Sequence, residues 1–160
     1  MTRPGDRGEV CAQKTGGAVP PGGRWRIVIV DDSKTLLYAL RRVFSTEQRL
    51  EVVGAGENGL EGVNLVRALH PDAVVMDISM PVMDGVEATR KIKAESPDTV
   101  VIGLSMGGPE DRMRIMEAGA VEFVRKSDPA GALIETVLRA LAAHAVAVAD
   151  ASGYTTRACL

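Results

Sequence analysis

The chain has 160 residues, 46% of them hydrophobic and 25% charged, and a formal net charge of −2. That size and balance suit one globular domain with tails, with enough apolar material to fill a core. The slight negative charge excludes, for the chain as a whole, the basic footprint of a nucleic-acid binder.

Residues 1–24 hold six of the 17 glycines and three of the eight prolines, and they show no periodicity. They are expected to form a flexible N-terminal tail. Arg3, Asp6, Arg7 and Glu9 are accompanied by no apolar h-region, so a secretory signal is not expected. Cys11 and Cys159 lie in the two tails and suggest neither a disulfide framework nor a metal knuckle. No apolar run approaches the length of a membrane span. A reducing cytoplasm is the expected compartment, with no membrane attachment.

A domain is expected over residues 25–145, where apolar runs alternate with amphipathic segments. The first strand is predicted at 26–30. A helix follows, with Leu36, Leu37, Leu40, Val43 and Phe44 at helical spacing. Either Asp32 or Ser33 can cap it, because a short oxygen side chain accepts from first-turn amides. A strand is predicted at 50–55 and a helix at 59–69, the latter with Leu60, Val63, Val66 and Leu69 on one side. Next come a strand at 72–77, a helix at 84–95 and a strand at 99–104. A helix with Pro109 in its first turn covers 109–118 and stops at Gly119. A short strand at 121–124 precedes a long helix at 129–145, which carries Leu133, Ile134, Val137, Leu138 and Leu141 on its apolar face. Residues 146–160 lose the pattern after Ala149 and are expected to form a short C-terminal tail.

Five strands and five helices in strict alternation call for a parallel sheet with helices on both faces. Runs such as Ile27–Val30 are apolar at every position, as a strand covered on both sides must be. The expected fold is therefore a flavodoxin-like α/β three-layer sandwich of (βα)5 type, with sheet order 2-1-3-4-5.

The ends of the strands carry the chemistry. Asp31 and Asp32 follow the first strand. Asp77 closes the third and opens the loop Ile78-Ser79-Met80-Pro81. Ser105 ends the fourth, and Arg125-Lys126 follows the fifth. In a parallel sheet these ends share one edge, where open α/β folds bind ligands. Three clustered carboxylates repel one another, and a divalent cation relieves the conflict. Mg2+ or Mn2+ suits such hard oxygen ligands. Asp32 and Asp77 are expected as direct ligands, Asp31 directly or through water, and the Ser79 carbonyl as a further oxygen. Lys126 adds a compact cation, and Ser105 a hydroxyl donor. Together they form a cradle for a phosphoryl group, and an Asp77 oxygen can attack phosphorus in line to give an aspartyl phosphate.

From Arg26 to about Ala142 the chain resembles a response-regulator receiver domain of two-component signalling. The resemblance rests on Ile29-Val-Asp-Asp-Ser33, Val75-Met-Asp-Ile-Ser-Met-Pro-Val-Met-Asp-Gly85, Gly103-Leu-Ser105 and Phe123-Val-Arg-Lys126. It implies Asp77 as phosphoacceptor, Asp31 and Asp32 as the acidic metal pocket, Ser105 as the switch hydroxyl and Lys126 as the active-site lysine. Phe123 falls at the family's aromatic switch position, or is a plain core aromatic. Finer features resemble the NarL/FixJ-type subfamily: Glu51-Val-Val-Gly54, Glu57-Asn-Gly59, Gly85-Val-Glu-Ala-Thr-Arg90 and Lys126-Ser-Asp-Pro129. The loop Met106-Gly-Gly108 departs from the family pattern and is expected to alter access to the phosphoryl group.

The resemblance implies phosphoryl transfer from a sensor histidine kinase, a phosphotransfer protein or a small acyl phosphate. The surface of helix 4, strand 5 and helix 5 would then change its preference for an unidentified output protein, or for a second copy in a homodimer. An enzyme proper is not expected beyond self-catalysed phosphorylation and autodephosphorylation, since Ser79 stands where an aspartyl phosphatase needs a second acid. Direct nucleic-acid binding by this chain is not expected. The alternatives are a phosphorylation-independent interaction module, or the receiver part of a DNA-binding regulator without its output domain.

Overall fold

The computed structural model describes residues 23–151. Residues 1–22 of the expected leader, residues 152–160 of the expected C-terminal tail, Cys11 and Cys159 lie outside the described residues. In chain order the elements are β1 (Trp25–Val30), α1 (Lys34–Ser45), β2 (Leu50–Gly56), α2 (Gly59–Leu69) and β3 (Ala73–Asp77). They continue with α3 (Gly85–Glu95), β4 (Val100–Ser105), α4 (Pro109–Glu117), β5 (Glu122–Arg125) and α5 (Ala130–Ala151). The strands form one parallel sheet in the order β2-β1-β3-β4-β5.

Successive residues of a strand face opposite sides of a sheet, so each central strand feeds two cores. Ile27, Ile29, Val75, Ile102 and Leu104 pack with Leu37, Leu40 and Phe44 of α1 and Leu133, Val137 and Leu141 of α5. The alternate residues Val28, Val30, Val74, Met76 and Val101 pack with Val63 and Val66 of α2, Ile92 of α3 and Ile115 of α4. This explains why the strands are apolar throughout instead of alternating.

Side-chain caps set where three helices begin, and so fix the loops that precede them. The Ser33 hydroxyl accepts from the Leu36 amide at 3.3 Å, which decides the α1 cap in favour of Ser33 over Asp32. Asn58 caps α2 by accepting from Glu61 N at 2.9 Å. Asp84 caps α3 by accepting from Glu87 N at 2.8 Å, so α3 starts at Gly85 and not at Asp84. Several strand limits move by one residue, as ladder pairing dictates: Ser105 pairs with Arg125 and belongs to β4.

The largest departure from expectation is α5. It runs to Ala151, six residues into the segment expected to be tail. Those residues are mostly alanine and valine, and alanine has the highest intrinsic helix propensity. With this extension α5 is long and apolar enough, by length and composition, to cross a membrane, contrary to the expectation that no run reaches that length. Its Leu133, Thr136, Val137, Ala140 and Leu141 are buried, while Glu135 and Arg139 are exposed. That half is a core helix of the sandwich.

Candidate functional site

Sheet order reverses direction about β1, which has β2 on one side and β3 on the other. Ligands of open α/β sheets bind beyond the strand ends at such a point. Asp31 leaves β1 there, its amide donating to Gly56 O at 3.0 Å. Asp77 is the last residue of β3. Lys126 follows β5, its amide anchored on Ser105 O at 2.9 Å. These anchors bring together residues spread over nearly a hundred positions of sequence.

The centre of the site is the Lys126 ammonium, 2.6 Å from Asp31 Oδ2 and 3.1 Å from Asp77 Oδ1. Asp31 is fully buried, Asp77 nearly so, and Asp32 exposed. The other Asp31 oxygen, Oδ1, accepts from the Ser33 amide at 2.8 Å. Burial is the main force raising the Asp77 pKa, with Asp31 adding to it; Lys126 and the Ser79 amide pull the other way without prevailing. Burial alone would lower the Lys126 pKa, but Asp31 and Asp77 outweigh it and hold the ammonium above its ordinary value. The ionised lysine is thus the counter-charge to two buried acids.

The loop after Asp77 is folded tightly back on it. Ile78 N donates to Leu104 O at 3.2 Å, and Gly85 N donates to Ile78 O at 2.9 Å. A Cβ on Gly85 would overlap the Asp77 carbonyl. The Asp84-Gly85 pair reads in the sequence as ordinary turn chemistry; its tertiary role is to let α3 begin against the backbone of Asp77. Val82 bends the loop with φ +68°, a strained value for a β-branched residue.

Ser105 is buried at the end of β4. Its hydroxyl donates to Asp111 Oδ2 at 2.6 Å and accepts from Gly107 N at 2.9 Å. Asp111 had no signal in the sequence, because its partner is met only once α4 is placed. Phe123 is half-buried and packs against the α2–α3–α4 core, beside Gly103, which leaves room for it and for Ile115. That position suits both a switch aromatic and a core aromatic.

Asp31, Asp32 and Asp77 can each present a carboxylate oxygen within 4.8 Å of the others. Asp31 Oδ2 is buried, with the Lys126 ammonium 2.6 Å away and no other donor on it among the described residues. Hard oxygen donors grouped in this way, one of them buried and met only by an ammonium, fit a divalent cation.

The model of the response regulator receiver domain matches residues 27–138. A protein-glutamate methylesterase/protein-glutamine glutaminase of Cereibacter sphaeroides is 39% identical over 132 residues, which are 81% of this chain and 36% of that protein. One from Syntrophomonas wolfei is 36% identical over 117 residues, 72% of this chain and 33% of that protein. The chain thus spans about a third of the length of these curated relatives. The response regulator domain of Thermotoga maritima CheB superposes with a TM-score of 0.69 at 30% identity, covering 74% of this chain and 96% of that one. A LuxR-family response regulator from Aurantimonas sp. gives 0.72 at 30% identity, covering 76% and 87%. The receiver domain of the NarL regulator from Mycobacterium tuberculosis gives 0.71 at 25% identity, covering 74% and 96%. The chain belongs to the response-regulator receiver family, and its function is that of a phosphorelay receiver. Its structural neighbours include NarL- and LuxR-type receivers, in keeping with the finer sequence pattern, as well as the CheB type.

Proposed function

We propose that Asp77 is the phosphoacceptor and that Asp31, Asp32, Asp77 and the Ser79 carbonyl hold Mg2+ or Mn2+ beside it. The observation that carries this reading is the Lys126 ammonium bridging Asp31 and Asp77 at the sheet's switch point. The cation, when bound, neutralises carboxylate and phosphoryl charge. An Asp77 carboxylate oxygen attacks phosphorus in line. The bond from phosphorus to the donor's imidazole nitrogen, or to its acyl oxygen, breaks as the new one forms. The donor is a sensor histidine kinase, a phosphotransfer protein or a small acyl phosphate. Lys126 is already within contact of Asp77 and turns toward the added oxygens. Ser105 supplies a hydroxyl proton to them. A packing shift then spreads through Phe123 to α4, β5 and α5, where an output protein or a second copy binds.

Apart from transferring a phosphoryl group to itself and losing it by hydrolysis, this domain needs no substrate of its own. The working compartment we propose is the cytoplasm, where kinase and donor phosphates meet. Acetyl phosphate with Mg2+ should add one phosphoryl group to the intact mass, and neither Asp77→Asn nor a chelated sample should gain it. An unchanged wild-type mass, together with no uptake of beryllofluoride, would instead make the domain a phosphate-independent binding module.

A further inference from the structure

The loop Met106-Gly107-Gly108 and the residue it delivers, Asp111, are not used by the phosphoryl chemistry above. A serine hydroxyl has one proton to donate. Here that proton is given to Asp111 Oδ2 at 2.6 Å, the length of a charge-assisted bond. A lone pair of the same hydroxyl is taken by the Gly107 amide at 2.9 Å. The hydroxyl that should serve a phosphoryl group is therefore already satisfied by Asp111 of α4 and Gly107 of the loop before it.

Two further observations show that this contact is built. A Cβ on residue 107 would overlap Asp111 Oδ2 as placed, so glycine there leaves the carboxylate room to sit on Ser105. The first turn of α4 also has little else to hold it: Gly108 makes no side-chain cap, and Ile115, in the second half of the helix, is its buried residue. Arg114 lies 3.8 Å from the other Asp111 oxygen and 3.9 Å from Asp84 Oδ2, but these are half-exposed pairs of small worth.

We propose that Asp111 is a positioning residue of the switch: it engages the Ser105 proton in the unphosphorylated state and ties the first turn of α4 to β4. The inference rests on Asp77 being the phosphoacceptor. A phosphoryl group there brings more charge and three acceptor oxygens, and competes for the same proton. When Ser105 turns to it, Asp111 loses its partner and the start of α4 is released. Asp111 thus sets the cost of switching and passes the event to the helix that partners read. Removing it should bias the domain toward its phosphorylated-state packing.

The test titrates beryllofluoride with Mg2+ into the full chain and follows binding by fluorine NMR. Wild type, Asp111→Ala, Gly107→Ala, Ser105→Ala and the Ser105→Ala/Asp111→Ala double variant are compared. Asp111→Ala should bind on the order of tenfold more tightly, the equivalent of one charge-assisted hydrogen bond no longer competing. Gly107→Ala keeps the charge of Asp111 but pushes it off Ser105, and should tighten binding in the same direction. In the Ser105→Ala background the gain from Asp111→Ala should vanish. Unchanged or weaker binding by Asp111→Ala and Gly107→Ala would overturn the proposal. So would an equal gain with and without Ser105, which would mean simple removal of negative charge. If wild type binds no beryllofluoride, the phosphoacceptor reading itself fails, an outcome distinct from a failure of Asp111.

Discussion

Asp31 and Lys126 make a 2.6 Å ion pair in which the carboxylate is fully buried and the lysine side chain is 15% exposed. A buried pair of this kind adds little by existing, yet costs much to break, because one charge is left without compensation. Lys126→Met leaves Asp31 and Asp77 facing each other and should destabilise the fold by about 3–5 kcal/mol. Urea unfolding in a chelator would measure it. Added Mg2+ should restore part of the loss by taking over the neutralisation, although phosphorylation should remain impaired.

Asp77 makes the fold sensitive to pH. Its pKa is raised in the folded chain, chiefly by burial and then by Asp31, so the ionised form is favoured less there than in the unfolded chain. The protonated acid carries no such penalty. Stability from this group is therefore present below the unfolded pKa and lost as pH rises through the folded pKa. Asp77→Asn should melt above wild type at neutral pH in chelator, and the gap should close as pH falls through the carboxylate range. A gap that widens toward acid would contradict the burial argument.

Gly85→Ala tests the close approach of α3 to Asp77. The added methyl would collide with a backbone carbonyl, which cannot swing aside as a side-chain tip could. The substitution should cost about 1–3 kcal/mol or more and displace the loop that follows Asp77, the proposed phosphoacceptor. Denaturant midpoints and acetyl phosphate labelling should fall together. Gly108→Ala, where an added Cβ meets nothing within 4 Å, serves as the tolerant control.

Asp32 is exposed, so its removal should cost the empty fold little. The contribution we propose for it is to the cation. Mg2+ at 100 times its Kd should stabilise wild type by about 2.7 kcal/mol. Asp32→Ala should lose most of that gain at the same concentration while melting like wild type in chelator. A full Mg2+ response in Asp32→Ala would remove Asp32 from the ligand set.

The strands and helices were readable because each central strand is apolar on both faces and each helix carries an apolar stripe. A cap at Asp32 or Ser33 announced the start of α1, and α2 and α3 start within a residue of the expected 59 and 84, where Asn58 and Asp84 cap them in the structure. The end of α5 was not readable. Beyond Leu141 none of the described residues of α5 is fully buried, so its amphipathic pattern fades although alanine keeps it helical. Asp31, Asp77, Ser105 and Lys126 stood out because each lies at a strand end. Gly85 and Asp111 act through contacts that exist only after α3 and α4 dock, and a local pattern carries no trace of them.

The most direct test of the central claim locates the phosphoryl group on the chain. The protein is labelled with acetyl phosphate and Mg2+, reduced with borohydride so that an acyl phosphate becomes an alcohol, and mapped by peptide mass spectrometry. The account predicts homoserine at position 77 alone, and none when the cation is chelated. Homoserine at position 31 or 32, or at no position, would contradict it.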